Sequence, residues 1–290
     1  MFSQICANFY GNPADKLKLI GLTGTNGKTT TTFLVKQILE KLGKKVGLIG
    51  TVQNMIGDEI YPAKYTTPDP YELQKLFRLM ADAGCEYCVM EVSSQALVQG
   101  RVNGLHFYIG AFTNLTQDHL DYHKTFENYF NAKRILFENC EIAVTNADDK
   151  NGLKIVENLP CKIYTYAVNT NNADYVAKNV RFLSNGVEYE LVCDYIGRVH
   201  CSIPGRFSVY NSLCAASIAL VMGIDFGSVV KSMPLCEGVK GRIEVVPTNR
   251  DFTVIIDYAH SPDGLENIIT SLKEIAKGRG VTVFGCGGGG

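Results

Sequence analysis

One junction near the start of this 290-residue sequence limits what it can fold into. The apolar run Leu17-Lys-Leu-Ile-Gly-Leu-Thr23 leads through Gly24-Thr-Asn-Gly-Lys-Thr-Thr30 into a stretch with apolar residues at Phe33, Leu34, Ile38, Leu39 and Leu42. The first pattern reads as a buried strand and the second as a helix over Thr29–Leu42, with Gly43 as its C-cap and the next strand beginning in Lys44-Lys-Val-Gly-Leu-Ile-Gly50. Strand, glycine turn, helix and strand commit the chain to α/β architecture, because parallel strands need a crossover between them.

The turn also carries chemistry. Backbone N–H groups at a helix N-terminus hold phosphate, Lys28 is placed to neutralise β/γ-phosphate charge, and the Thr29 hydroxyl can reach Mg²⁺. The strict pattern G-x-x-x-x-G-K-[ST] asks for glycine at position 22, where this chain has Leu22. The competing reading is a glycine turn with a chance Gly-Lys-Thr.

The alternation continues, with strands expected at Cys85–Val92, Phe107–Thr113 and Glu141–Asn146 and helices at Tyr71–Ala83 and Thr125–Asn139. That pattern favours a largely parallel sheet with helices on both faces. Between Cys161 and Ile203 the runs become short and β-rich, separated by turns such as Asn185-Gly186, which predicts an antiparallel excursion. A buried helix is expected at Asn211–Met222 and a domain boundary at 237–242. Beyond it come a strand (Thr253–Asp257), a loop with Pro262, a helix (Gly264–Lys277) and a strand (Val281–Phe284).

Charge and composition remove several function classes. With 28 Lys+Arg against 29 Asp+Glu the chain lacks the basic excess of a general nucleic-acid binder. No apolar run is long enough for a membrane span and the N-terminus has no secretory pattern, so a cytoplasmic protein is expected. The 10 cysteines are scattered through apolar segments and read as reduced core residues. Cys85 and Cys88 have metal-ligand spacing, but no second such pair completes a zinc site, and within a strand the two side chains would face opposite ways.

Further candidates lie at strand ends. Glu91 closes an apolar strand, where a carboxylate can hold Mg²⁺ directly or through water, or simply be exposed. The segment Asn114-Leu-Thr-Gln-Asp118-His119-Leu-Asp121-Tyr-His123 could hold a divalent cation or cap a helix. Lys133, on a helix with apolar Phe126, Phe130, Leu136 and Phe137, reads on spacing alone as a surface lysine. Asp257-Tyr-Ala-His260-Ser-Pro-Asp263 suits either ligand contacts or a capping loop.

GTNGKTTT (24–31), YTTPDPYEL (65–73), MEVSSQALVQGR (90–101), FTNLTQDHLDYH (112–123), NAKRILF (131–137), GRFSVYN (205–211), GRIE (241–244) and DYAHSPD (257–263) occur in that order. Together they resemble the Mur ligases, and among them the enzymes that add the third amino acid of the peptidoglycan stem peptide. The phosphate loop alone would also suit the folylpolyglutamate synthases. The resemblance implies a P-loop NTPase-like α/β domain and a reaction in which ATP phosphorylates the D-glutamate carboxylate of UDP-MurNAc-L-Ala-D-Glu. The acyl phosphate is then attacked by a diamino acid, meso-diaminopimelate or L-lysine.

It further implies roles for particular residues. Gly24, Thr25, Asn26, Gly27, Lys28, Thr29 and Thr30 would hold the phosphates, and Thr29, Glu91 and His119 would organise Mg²⁺. Thr66, Thr67, Ser93, Gln99 and Arg101 match substrate-contacting positions, and Asn211 and Arg242 match adenosine-side contacts. Lys133 matches a carbamylated lysine, whose added CO₂ turns a cation into an oxygen ligand, and this reverses the surface-lysine reading. A monomer is expected, with no nucleic-acid or membrane partner.

Gln95 and Ser208 depart from the family's His and Asn. By the resemblance, residues 1–15 are the remnant of a UDP-binding domain or its linker, 16–240 the central ATP-binding domain, and 241–290 the start of a Rossmann-like C-terminal domain. The chain is thus expected to be truncated at both ends, and the alternatives are an ATP-binding fragment without ligase activity or a related Mur-like or folylpolyglutamate-type ligase.

Overall fold

The computed structural model describes residues 1–183, 185–259, 262–276 and 278–285. His260, Ser261, the Lys277 end of the expected last helix and the terminal 286–290 lie outside them. In chain order the strands are β1 (Lys18–Thr23), β2 (Val46–Ile49), β3 (Asn54–Ile56), β4 (Glu59–Tyr61), β5 (Tyr87–Glu91), β6 (Phe107–Phe112), β7 (Cys140–Asn146), β8 (Lys162–Ala167), β9 (Tyr175–Leu183), β10 (Gly186–Val192), β11 (Ile196–Cys201), β12 (Glu244–Val246) and β13 (Val254–Ile256). The helices are α1 (Phe2–Phe9), α2 (Lys28–Lys41), α3 (Pro70–Asp82), α4 (Ser94–Val98), α5 (Leu120–His123), α6 (Phe126–Glu138), α7 (Arg206–Val221), α8 (Phe226–Ser232) and α9 (Pro262–Ile275). Among the described residues no helix is long and apolar enough to cross a membrane.

One sheet of eleven strands runs in the order β11-β10-β9-β8-β7-β6-β1-β5-β2-β3-β4. Its interior, from β2 to β9, is parallel, and both edges are antiparallel. Strand alternation sends side chains to two apolar layers. Ile20, Leu22, Val89, Ile109 and Ala111 pack with α2 and α7, while Leu19, Cys88, Met90 and Phe112 pack with α3 and α6. Helices thus cover both faces, which a parallel sheet requires.

The antiparallel excursion starts later than the sequence pattern implied. Strand β8 runs parallel to β7, with Ile142 opposite Lys162, and β9 runs parallel to β8. The reason is Asp148, just after β7. Its carboxylate accepts the backbone N–H groups of Val168, Asn169 and Thr170 at 2.7, 2.8 and 2.9 Å, which pins the loop after β8 and prevents a hairpin. Those bonds, against the effect of burial, hold the Asp148 carboxyl below its ordinary range.

Three other expectations need correction. Val281–Phe284 form no strand; Val281, Val283 and Phe284 are exposed, and β13 pairs instead with β12, Val245 opposite Ile255. Helix α7 starts before Asn211, at Arg206, because buried Ser208, Asn211 and Ser212 interrupt the apolar pattern of its first turns. Cys85 precedes β5 rather than lying within it, so Cys85 and Cys88 share one apolar layer, where burial pushes both thiols up.

Gly21 proves to be a packing residue of the sheet, set within β1. A Cβ there would lie 2.8 Å from the Phe107 ring and 3.0 Å from Leu136. Overpacking a core of this kind costs about 1–3 kcal/mol. Gly21→Ala should therefore lower the urea midpoint by a corresponding amount, with an unchanged m-value showing that the fold is retained.

Candidate active site

The site forms where the parallel strands end. Strands β1, β5 and β6 finish side by side, with Leu22 opposite Glu91 and Thr23 opposite Phe112, and such carboxyl edges are where open α/β sheets bind ligands. The loop after β1 is pressed against the residues after β6. Thr25 N–H donates to the Asn114 carbonyl at 2.9 Å and Asn26 N–H to Asn114 Oδ1 at 2.9 Å, while Thr113 Oγ1 donates to the Asn26 carbonyl at 2.7 Å. Gly24, at φ +147°, has no room for a Cβ against Thr113 Oγ1. Gly27, at φ +87°, adopts the left-handed conformation that starts α2 and lies against Asn211 Oδ1.

Two lysines converge on this loop. Lys28 Nζ donates to the carbonyls of Gly24 and Thr25, each at 2.8 Å, and Lys133 Nζ donates to the same Gly24 carbonyl at 2.8 Å. Lys133 is only 1% exposed, which contradicts the surface position that spacing alone suggested. Its amine lies 4.4 Å from the centre of the Tyr129 ring. Loss of water, followed by repulsion from Lys28, holds Lys133 well below the lysine range, with Asp118 opposing. Loss of water also lowers Lys28, against attraction from Glu91 and Asp118.

Glu91 faces the loop from β5 and is buried. The Thr29 hydroxyl is 3.0 Å from each of its oxygens, Thr51 N–H donates to Oε1 at 2.8 Å, and the Thr51 hydroxyl donates to Oε2 at 3.1 Å. The next segment is tied to the same strand end. Thr67 Oγ1 donates to the Glu91 carbonyl at 2.8 Å and accepts Ser93 N–H at 3.0 Å, and Ser93 caps α4 by accepting Ala96 N–H. Arg101 donates to the Thr67 carbonyl at 2.7 Å and to Gln99 Oε1 at 2.9 Å, and stacks over Tyr65. Tyr65, Asp69, Gln99 and Arg101, with Phe2 and Ser3 of α1, line a cavity of about 450 Å³.

His119 immediately precedes α5. It is half-exposed at positive φ (53°), and its ring contacts Asp118 and the edge of Tyr129. Burial, ahead of nearby charges, lowers its basicity. His123 is buried and pairs with Ser94 Oγ at 2.8 Å. Among the described residues no three His, Cys, Asp or Glu side chains gather into a metal cluster. Asp257 accepts the N–H groups of Ile243 and Ala259, each at 2.8 Å, so its carboxylate serves the turn. Arg242 lies over the Tyr258 ring at 4.5 Å and is close enough to lower Lys28.

The groups that the resemblance implies fit these residues. Thr29 and Glu91 present oxygen donors side by side, which suits Mg²⁺. The loop has two glycines where a Cβ would collide, and Lys28 caps carbonyls at a helix N-terminus, which suits a polyphosphate. The sequence reading missed two contributors. Thr51 stands two residues beyond the end of β2, a position at the strand end that could have flagged it. Tyr129 stands one helical turn before Lys133, on the same face of α6.

The Mur ligase middle domain model matches residues 22–219, and the Mur ligase, glutamate ligase domain model matches residues 241–290. The chain belongs to the Mur ligase family. It is 50% identical over 287 residues to a UDP-N-acetylmuramoyl-L-alanyl-D-glutamate–2,6-diaminopimelate ligase of Clostridium acetobutylicum, a match covering 97% of this chain and 59% of the relative. A ligase of the same name from Caldanaerobacter subterraneus is 47% identical over 288 residues, covering 99% and 59%. This Mur ligase chain thus spans about three-fifths of the length of the curated relatives it matches. A solved structure titled with the same ligase name aligns with TM-score 0.81 and 34% identity over 94% of this chain and 57% of that one. Folylpolyglutamate synthase of Mycobacterium tuberculosis shares the fold, with TM-score 0.76 and 17% identity over 93% of this chain and 70% of that one.

Burial of Lys133 has a pH signature. The unfolded chain holds that proton up to about pH 10.4, whereas the folded one releases it well below, so unfolding takes up a proton in between. Stability from this group therefore falls as pH falls through that window. Replacing it by Lys133→Met should remove the effect: in CO₂-depleted buffer, the variant's advantage over the parent chain in urea unfolding should shrink between pH 7 and pH 9.

Proposed function

We propose that these residues form the ATP-binding core of an amide ligase of peptidoglycan precursor synthesis. The ligase joins a diamino acid to UDP-MurNAc-L-Ala-D-Glu, in the cytoplasm and as a monomer. The relatives' names favour 2,6-diaminopimelate as the amine. On this reading residues 16–240 are the central domain, 241–290 begin the C-terminal domain, and 1–15 lead in from the UDP-binding side. The observation that carries it is the convergence of Lys28 and Lys133 on the Gly24 carbonyl, beside the Thr29–Glu91 pair.

A carboxylate oxygen is a poor leaving group until it is phosphorylated. The γ-phosphoryl group passes to the D-glutamate carboxylate as its bond to ADP breaks. The amine nitrogen then attacks the acyl carbon, phosphate departs with its oxygen, and the amine proton goes to solvent. Gly24–Thr30 hold the phosphates and Lys28 offsets their charge, with Asn211 and Arg242 on the adenosine side. Thr29, Glu91 and His119, with Lys133 as its carbamate, would hold Mg²⁺, which when bound offsets charge on the transferring phosphoryl group. Thr66, Thr67, Ser93, Gln99 and Arg101 orient the anionic substrate, a cationic Arg101 suiting its carboxylates.

A buried lysine that is neutral is also nucleophilic. Its lone pair can add to CO₂ with loss of a proton, which leaves an anionic carbamate. In a ligase carrying these residues, Lys133→Ala should abolish amide formation and recover part of it with added acetate. In the chain itself, Lys28→Ala should weaken Mg·ATP binding about 10- to 100-fold by calorimetry, the value of a charge-assisted hydrogen bond of about 1.5–3 kcal/mol. Full activity of the Lys133 variant would overturn its assigned role.

A further inference from the structure

We infer that Thr51 is a positioning residue that ties the nucleotide side of the site to the side that receives the carboxylate-bearing substrate, an inference that rests on the function proposed above. Thr51 contacts both sides through a single hydroxyl. Its oxygen is 3.1 Å from Glu91 Oε2 and 3.0 Å from Thr66 Oγ1, and its backbone N–H donates to Glu91 Oε1 at 2.8 Å.

The chemistry of these groups fixes the direction of the bonds. An ionised carboxylate only accepts, so the Thr51 hydrogen points to Glu91, and Thr66, with its own hydroxyl hydrogen, must be the donor to Thr51. A directed chain results, from Thr66 through Thr51 to Glu91. On the far side of the carboxylate the Thr29 hydroxyl donates at 3.0 Å, which carries the chain to the first turn of α2. Hydrogen bonds in such a chain polarise one another, so a change at one end alters the donor strength at the other.

Packing and backbone bonds hold Thr51 on this route. A Cβ at Gly50 would lie 2.5 Å from Glu91 Oε1, so the residue before Thr51 is small where the carboxylate passes. Gly50 N–H donates to Asn54 Oδ1 at 3.3 Å, and Asn54 Nδ2 donates to the Pro62 carbonyl at 3.3 Å, which ties the turn after β2 to the β3–β4 hairpin. Thr51 is therefore held by its backbone, and its hydroxyl is the part that links the two segments. A nucleotide and cation drawing on Glu91 would be felt at Thr66 through that hydroxyl.

The test uses amide resonances of the whole chain, labelled with ¹⁵N and titrated with Mg²⁺ and a non-hydrolysable ATP analogue. In the parent chain the amides of Gly24–Thr30 should shift, and so should that of Thr66. Thr51→Ser keeps the hydroxyl and should keep the Thr66 shift. Thr51→Val keeps size and backbone but lacks the hydroxyl, and should lose the Thr66 shift while the loop amides still move. A Thr66 shift of parental size in Thr51→Val, or none in the parent chain while the loop responds, overturns the inference. If no loop amide moves in the parent chain, the proposed nucleotide site fails, and the inference with it.

Discussion

The phosphate loop is sewn to the end of β6, and the rest of the site depends on that seam. The four-residue turn Gly24–Gly27, with its two glycines, would otherwise sample many conformations, and ordering it costs about 1–2 kcal/mol per residue. Thr113 and Asn114 offset that cost through backbone and side-chain bonds to Thr25 and Asn26, each worth about 1 kcal/mol net. Thr116 adds to the seam by donating its N–H to Thr25 Oγ1 at 3.0 Å. The loop is therefore shaped before any ligand arrives, and groups fixed in advance need no reorganisation when charge develops.

The seam also sets the charge of the site. By holding the Gly24 carbonyl in place it gives Lys28 and Lys133 a common acceptor, and two ammonium groups on one oxygen repel each other. Both lysines feel Asp118, but Lys28 keeps two carbonyl acceptors and also feels Glu91, whereas Lys133 has the one carbonyl and lies against the Tyr129 ring. Lys133 is accordingly the one that gives up its proton more readily. Tyr129 contributes twice, with its ring under Lys133 and its hydroxyl 3.2 Å from Thr25 Oγ1 in the loop.

Features set by local pattern were legible in the sequence. The glycine turn, the helix that follows it and the buried strand ending in Glu91 need only periodicity and turn chemistry. Features set by distant partners were not. Lys133 reads as a surface residue because its helix is amphipathic, and only the arrival of the loop after β1 covers it. Gly21 reads only as one position in the first strand, whereas its lack of a side chain answers to Phe107 and Leu136. Strand β8 reads as the start of the antiparallel excursion, whereas Asp148, just beyond β7, captures the loop after β8, and β8 runs parallel to β7. Thr51 carries no motif at all, and its role follows from which strand lies beside β2.

Glu91 shows why one strand end can serve two ligands. Along β5 the side chains alternate, with Val89 toward the α2 layer and Cys88 and Met90 toward the α3 layer, so the carboxylate of Glu91 turns to α2 and the phosphate loop. Its carbonyl, which lies in the plane of the sheet, is left without a strand partner where the ladder ends and accepts the Thr67 hydroxyl. The same residue thus faces the nucleotide through its side chain and fixes the Thr66–Thr67 segment through its backbone. A shift of β5 by one residue would exchange the two layers and point the carboxylate away from the loop. The buried residues that lock the register of β5, Val89 against Leu48 and Ile20 above all, therefore hold the site's geometry although none of them contacts it.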